Sequence, residues 1–155
     1  MIAALGPKAL ETACELTAGA LPYLVPPAHT ADARTILGPD RLLIPEQKVF
    51  LGSDKTQARS VGRKVLANYL KLPNYTNMLR RYGLTDDDFA GAGSDHWVDT
   101  LVVWGDEEAV RAGVNAHLDA GADHVALQIL SASPDAGLPR AEWRAIAEIL
   151  VRPLG

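Results

Sequence analysis

The sequence predicts an α/β fold of parallel strands joined by crossover helices. Three observations lead there. Apolar runs such as Ala20 to Val25 and His124 to Leu130 lack the polar alternation of a half-exposed strand, so they read as strands covered on both faces. Segments with helical apolar spacing separate those runs. The 13 glycines and 10 prolines are spread as punctuation between segments and never massed as a linker, so residues 1–155 form a single domain.

The elements follow in order. Ile2 to Leu5 reads as a short buried strand that runs straight into Gly6. Pro7 suits the first helical position, where its missing N–H is not needed, and opens a helix over 7–17 with Leu10, Ala13, Cys14 and Leu16 near one face. Gly19 stops it, and Ala20 to Val25 is the second strand, ended by Pro26-Pro27. A helix over about 28–37 closes at Gly38-Pro39-Asp40. Leu42 to Leu51 is the third strand, made irregular in its first half by Pro45. Ser53 caps a long helix over about 54–70, with Ala58, Val61, Val65, Leu66 and Tyr69 inward. A helical insertion over about 73–104 comes next, in three pieces: Pro73 to Tyr82, a short turn after Thr85, and Ser94 to Trp104. Asp106 caps a helix to Asp119, with Ala109, Val110, Val114 and Leu118 inward. His124 to Leu130 is the fourth strand. A polar loop with Pro134, Gly137 and Pro139 leads to a last helix over about 140–151. About four strands result, where a closed (β/α)8 barrel typically takes about 250 residues. An open four-stranded sheet also fits this order.

Composition narrows the function classes. A chain of 155 residues with 48% apolar content can bury a real core. A net charge of −4, with no basic block, argues against nucleic acid and membrane surfaces as partners. No apolar run reaches the length of a membrane span. The single cysteine, Cys14, excludes an internal disulfide and fits a reducing cytoplasm; on an apolar helix face it reads as a small buried hydrophobe.

Few residues carry recognisable chemistry. The Gly6-Pro7-Lys8 turn reads either as a plain helix start or as an anion site built on free first-turn N–H groups. His29, His96, His117 and His124 show no metal-ligand spacing, so no metal site is expected. His29 follows a strand end and reaches toward the face where ligands bind, while His117 and His124 read as structural or solvated. Glu46 and Gln47 lie in a mostly buried strand and bond either a ligand or a neighbouring strand. Asp86-Asp87-Asp88 reads as negative charge at a helix start. Trp97, Val98, Leu101 and Trp104 form an apolar stripe suited to core or subunit contact.

The series as a whole resembles a known family. It comprises Ala3-Ala4-Leu5-Gly6-Pro7-Lys8-Ala9-Leu10-Glu11, then Ala18-Gly19-Ala20-Leu21-Pro22-Tyr23-Leu24, Leu43-Ile44-Pro45-Glu46-Gln47, Tyr69 to Asn77, Tyr82 to Asp88, and Ala120 to Val125. This resembles the luciferase-like flavin and deazaflavin oxidoreductases, and within them the F420-dependent group. The resemblance implies a partial TIM barrel, the C-terminal half of a (β/α)8 barrel, whose strands would be the family's fifth to eighth. It implies hydride transfer between coenzyme F420, or alternatively FMN, and an organic substrate. It also implies that Ala4, Leu5, Gly6, Pro7 and Lys8 hold the cofactor phosphate. His29, Tyr75, Asn77 and Arg80 become substrate-binding candidates, the last three on a segment resembling the family's substrate cover. That segment equally suits an amphipathic helix with Tyr75, Met78, Leu79 and Tyr82 inward and its arginines solvated.

Half of a barrel leaves two unpaired strand edges and a bare inner face. The expected remedies are a homodimer or another chain supplying the missing half. The alternatives to an enzyme acting alone are therefore a non-catalytic half-barrel stabilised by homodimerisation, or one subunit of a split oxidoreductase; either could bind no cofactor alone.

Overall fold

A computed structural model describes residues 1–132 and 137–151. The chain order is α1 (Pro7–Leu16), β1 (Gly19–Ala20), α2 (Pro27–Leu37), β2 (Leu42–Leu43), β3 (Glu46–Leu51) and α3 (Lys55–Leu66). After a 3-10 turn (Tyr69–Lys71) come α4 (Pro73–Arg80), α5 (Asp86–Phe89), α6 (Asp95–Leu101), β4 (Val102–Gly105), α7 (Glu107–Asp119), β5 (Ala126–Ile129) and α8 (Arg140–Leu150). All strand pairs are parallel. Pro134, in the expected loop before α8, lies outside the described residues.

The stretch 42–51 is the axis of the molecule. Pro45 divides it into β2 and β3, as its missing N–H requires. One edge of this axis runs along the chain leading into β5, with Asp123 N donating to Leu43 O at 3.0 Å and Leu130 N to Val49 O at 2.8 Å. The other edge has two neighbours in succession. β1 flanks its start, and Glu46 N still donates to Pro22 O at 2.9 Å. β4 flanks its end, where Gly52 N donates to Gly105 O at 2.9 Å.

Several expectations need correction here. The first strand is a single bridge between Ile2 and Ala20. The second is two residues long, because Leu24 takes a left-handed φ of 59° and turns the chain away. That departure opens the edge that β4 fills. The segment expected to be helical through Trp104 instead ends its helix at Leu101 and continues as β4. The α3 helix is capped by Asp54, not Ser53: its carboxylate accepts from Thr56 N at 2.9 Å and Gln57 N at 3.2 Å. α3 also ends at Leu66, with the 3-10 turn in place of its expected last turn. Leu118 faces outward, 40% exposed.

The sheet's two faces are covered differently. Leu43 packs with α1 and α2 through Leu10, Ala13, Ala33 and Leu37, and Val49 packs with α7 and α8 through Val110, Ile146 and Ile149. The opposite face carries Glu46, Lys48 and Phe50. There Phe50, Leu24, Val102 and Leu130 join Leu66, Met78, Leu79, Trp97 and Leu101 in one cluster. The insertion thus roofs the C-terminal end of the inner face. At the other end Leu21 and Leu42 remain 37% and 46% exposed.

Candidate functional site

Two adjoining cavities lie at the start of α1. One, of about 380 Å³, is lined by Leu5, Gly6, Pro7, Asn74, Asn77, Met78 and Arg81. The other, of about 240 Å³, shares Leu5, Pro7 and Arg81 and adds His29, Asp32 and Tyr82 among others. Gly6 is the N-cap of α1 and supplies no side-chain cap. The N–H groups of Lys8 and Ala9 therefore have no acceptor within the helix. A Cβ at Gly6 would meet nothing within 4 Å, so the glycine leaves room for a ligand beside those donors.

The insertion supplies the facing wall. Arg80 is committed elsewhere: its guanidinium donates to Asp86 at 2.7 Å and to Asn77 Oδ1 at 2.7 Å. Arg81 forms no ion pair or side-chain hydrogen bond among the described residues, and its guanidinium lies 5.9 Å from the Tyr82 ring centroid. Its charge stands beside the donor end of α1, where an anion would be held from both sides.

His29 is 1% exposed. Its Nε2 lies 2.8 Å from Leu5 O, a group that only accepts, so Nε2 carries the proton and Nδ1 is a bare acceptor without a partner. Burial first, and then the Arg81 charge, hold its pKa below the ordinary imidazole range. Tyr82 donates to Asp32 at 2.8 Å, and its pKa is raised to about 12, chiefly by burial.

No family model matches the chain, and neither does any curated protein. Solved structures do, among them two F420-dependent enzymes. The coenzyme F420-dependent tetrahydromethanopterin reductase from Methanopyrus kandleri aligns at 19% identity with a TM-score of 0.65, over 82% of this chain and 43% of that one. An F420-dependent secondary alcohol dehydrogenase, in complex with an F420–acetone adduct, aligns at 12% identity and a TM-score of 0.58, over 82% and 42%. This chain shares their fold. It spans less than half the length of either.

The residues singled out from sequence divide between two places. Leu5, Gly6, Pro7, His29 and Asn77 line the two cavities. Ala4 is buried beneath the turn, and Lys8 is exposed on α1 outside both linings. Tyr75 packs edge-on to Tyr69, ring centroids 5.1 Å apart, on the inner face of the sheet. Among the described residues no three His, Cys, Asp or Glu side chains gather as a metal site.

A second polar group lies under Tyr75. Lys48, fully buried, bonds Glu46 Oε1 at 3.0 Å, Tyr23 Oη at 2.9 Å and Gln128 Oε1 at 3.1 Å. Its ammonium also sits 4.1 Å from the Tyr23 ring centroid. Burial raises the Glu46 pKa, and the Lys48 charge pulls it back. Gln47 points to the other face, where its amide oxygen meets His117 Nε2 at 3.0 Å. The sequence marks Glu46 and Gln47 as buried polar groups that bond a ligand or a neighbouring strand, but does not mark Lys48, Tyr23, Gln128 or Arg81. The signal for Lys48 was a lysine two residues from Glu46 inside an otherwise apolar strand, since such a group is buried only with partners. Arg81 has no such signal, because its neighbour Arg80 has the same chemistry.

Proposed function

We propose that this chain is part of a luciferase-like oxidoreductase and forms the C-terminal half of its (β/α)8 barrel. It would hold the phosphate of coenzyme F420 at the start of α1. The observation that carries this reading is the cavity of about 380 Å³ in which the uncapped turn Gly6-Pro7 faces the unpaired Arg81. The donor set fits an anionic tail: backbone N–H groups, the guanidinium and two asparagine amides surround the space. Ala4 and Leu5 shape the turn, while Lys8 adds long-range positive charge from outside the lining. Bound F420 would supply a hydride to an organic substrate. This chain's own part is to fix the tail and, through α4, to cover it. FMN, which also carries a phosphate, is the alternative cofactor. The compartment proposed is the cytoplasm; among the described residues no helix is long and apolar enough to cross a membrane.

Fluorescence titration of the purified chain with coenzyme F420 and with FMN tests the reading. F420 should bind. Arg81→Ala should weaken it about tenfold, the equivalent of about 1.4 kcal/mol. Arg80→Ala, on the neighbouring side chain, should leave affinity nearly unchanged. A folded protein that binds neither cofactor overturns the proposal for this chain.

A specific observation favours a partner chain. A groove of about 500 Å³ beside the edge of β5, which has no strand partner among the described residues, is lined by Leu118, Leu127, Trp143 and Val151 among others. A second copy, or a chain carrying the other half-barrel, would cover it.

A further inference from the structure

On the inner face of the sheet, two hydrogen-bond donors converge on one oxygen. The Tyr23 hydroxyl donates to Gln128 Oε1 at 2.9 Å, and Lys48 Nζ reaches the same atom at 3.1 Å. That oxygen belongs to an exposed side chain on the edge strand β5. The donors are held from behind. Glu46 grips Lys48 through Oε1 and accepts the amide of the left-handed Leu24 through Oε2 at 3.2 Å. Lys48 bonds the Tyr23 oxygen at 2.9 Å, and the Tyr69 hydroxyl lies 3.3 Å from it. The donors are therefore held in place, and the acceptor is an exposed side chain.

Two fixed donors aimed at one oxygen in a partly desolvated place are an arrangement that binds and polarises a carbonyl. The local charge favours a neutral guest. Glu46 already balances Lys48, so a carboxylate entering here would add an uncompensated negative charge. Burial holds the Tyr23 phenol above its ordinary range, which keeps it a donor at neutral pH.

We propose that Tyr23 and Lys48 bind the carbonyl oxygen of a neutral organic substrate, an aldehyde, ketone or conjugated enone, in the place that Gln128 Oε1 occupies when no substrate is bound. This rests on the oxidoreductase reading, because a hydride acceptor needs a polarised double bond. Tyr23 and Lys48 would be catalytic residues touching the substrate oxygen. Glu46 and Tyr69 would be positioning residues.

The test uses the full chain and para-dimethylaminobenzaldehyde, whose long-wavelength absorption moves to the red when its carbonyl oxygen is strongly hydrogen-bonded. Wild type should produce the shift. Tyr23→Phe should lose it. Gln128→Ala should tighten binding about threefold or more, since it removes the internal competitor. A merely structural network would leave affinity unchanged or weaker in that variant. Circular dichroism confirms that each variant is folded, and each titration is run with and without coenzyme F420. No red shift from folded wild type under either condition overturns the proposal. So does a retained shift in Tyr23→Phe, or no gain in Gln128→Ala. F420 binding without the aldehyde shift removes this site alone. The shift without F420 binding supports this site and removes the cofactor assignment instead.

Discussion

His117 shows how one buried side chain sets a pH limit. Its ring is fully buried in α7, with Nε2 donating to Gln47 at 3.0 Å and Nδ1 facing the Thr30 hydroxyl at 2.8 Å. Both ring nitrogens have partners, and burial, which penalises the charged ring, brings the pKa from 6.5 down to about 4. The unfolded chain then binds a proton that the folded chain refuses. The stability that His117 contributes is full above about pH 6.5, declines as the pH falls toward about 4, and is lost below. The loss should total on the order of 3 kcal/mol. Urea midpoints measured across that range should fall steeply in wild type, and His117→Gln should flatten most of the slope. Glu46 makes a second case. Glu46→Ala would strand the Lys48 ammonium without its counter-charge and should cost about 3–5 kcal/mol by urea unfolding.

At the scale of elements, close packing governs what the insertion tolerates. A Cβ at Gly62 of α3 would lie 2.6 Å from Val98 Cγ1 of α6. Gly62→Ala, otherwise a helix-favouring change, should therefore destabilise by about 1–3 kcal/mol, read from the thermal midpoint. Much of the element order was legible in the sequence because its signals were local: Pro7 at a helix start, Pro26-Pro27 ending a strand, Pro45 interrupting another, Asp106 as a cap, and the acidic run after Thr85 at a helix start. What escaped was decided by distant partners. Val102-Val103-Trp104 continues the apolar stripe of α6, and periodicity alone does not separate helix from buried strand in so short a run. Its β-branched pair was the available hint. It becomes a strand because β3 offers an edge that β1 has vacated. That vacancy follows from Leu24, a residue whose identity does not announce a left-handed backbone. The candidate site was half legible for the same reason. The Gly6-Pro7 turn is local, whereas Arg81, Tyr23 and Gln128 gain their roles from contacts across the fold.

For the whole molecule, the decisive fact is that the fold matches under half of each larger enzyme. The insertion roofs one end of the sheet's inner face and leaves the other open at Leu21 and Leu42. Trp143, 45% exposed, stands at the groove beside β5. These surfaces are expected to be covered in solution. Light scattering at micromolar concentration should give a mass above that of the single chain, and Trp143→Asp should lower it.

The two-sided pairing of β3 also bears on the order in which the molecule can form. Lys48 and Gln128 are separated by 80 residues, and Arg34 is tied to Asp123 across 89. During synthesis β3 emerges long before either strand that flanks its C-terminal half. Until then the Lys48 charge has Glu46 and Tyr23 but lacks Gln128 and the strands on either side, and burying it early would be costly. Such distant closure makes assembly slow and late. A nascent chain stalled before Ala126 should stay open to proteases, and protection should appear almost at once when β5 becomes available.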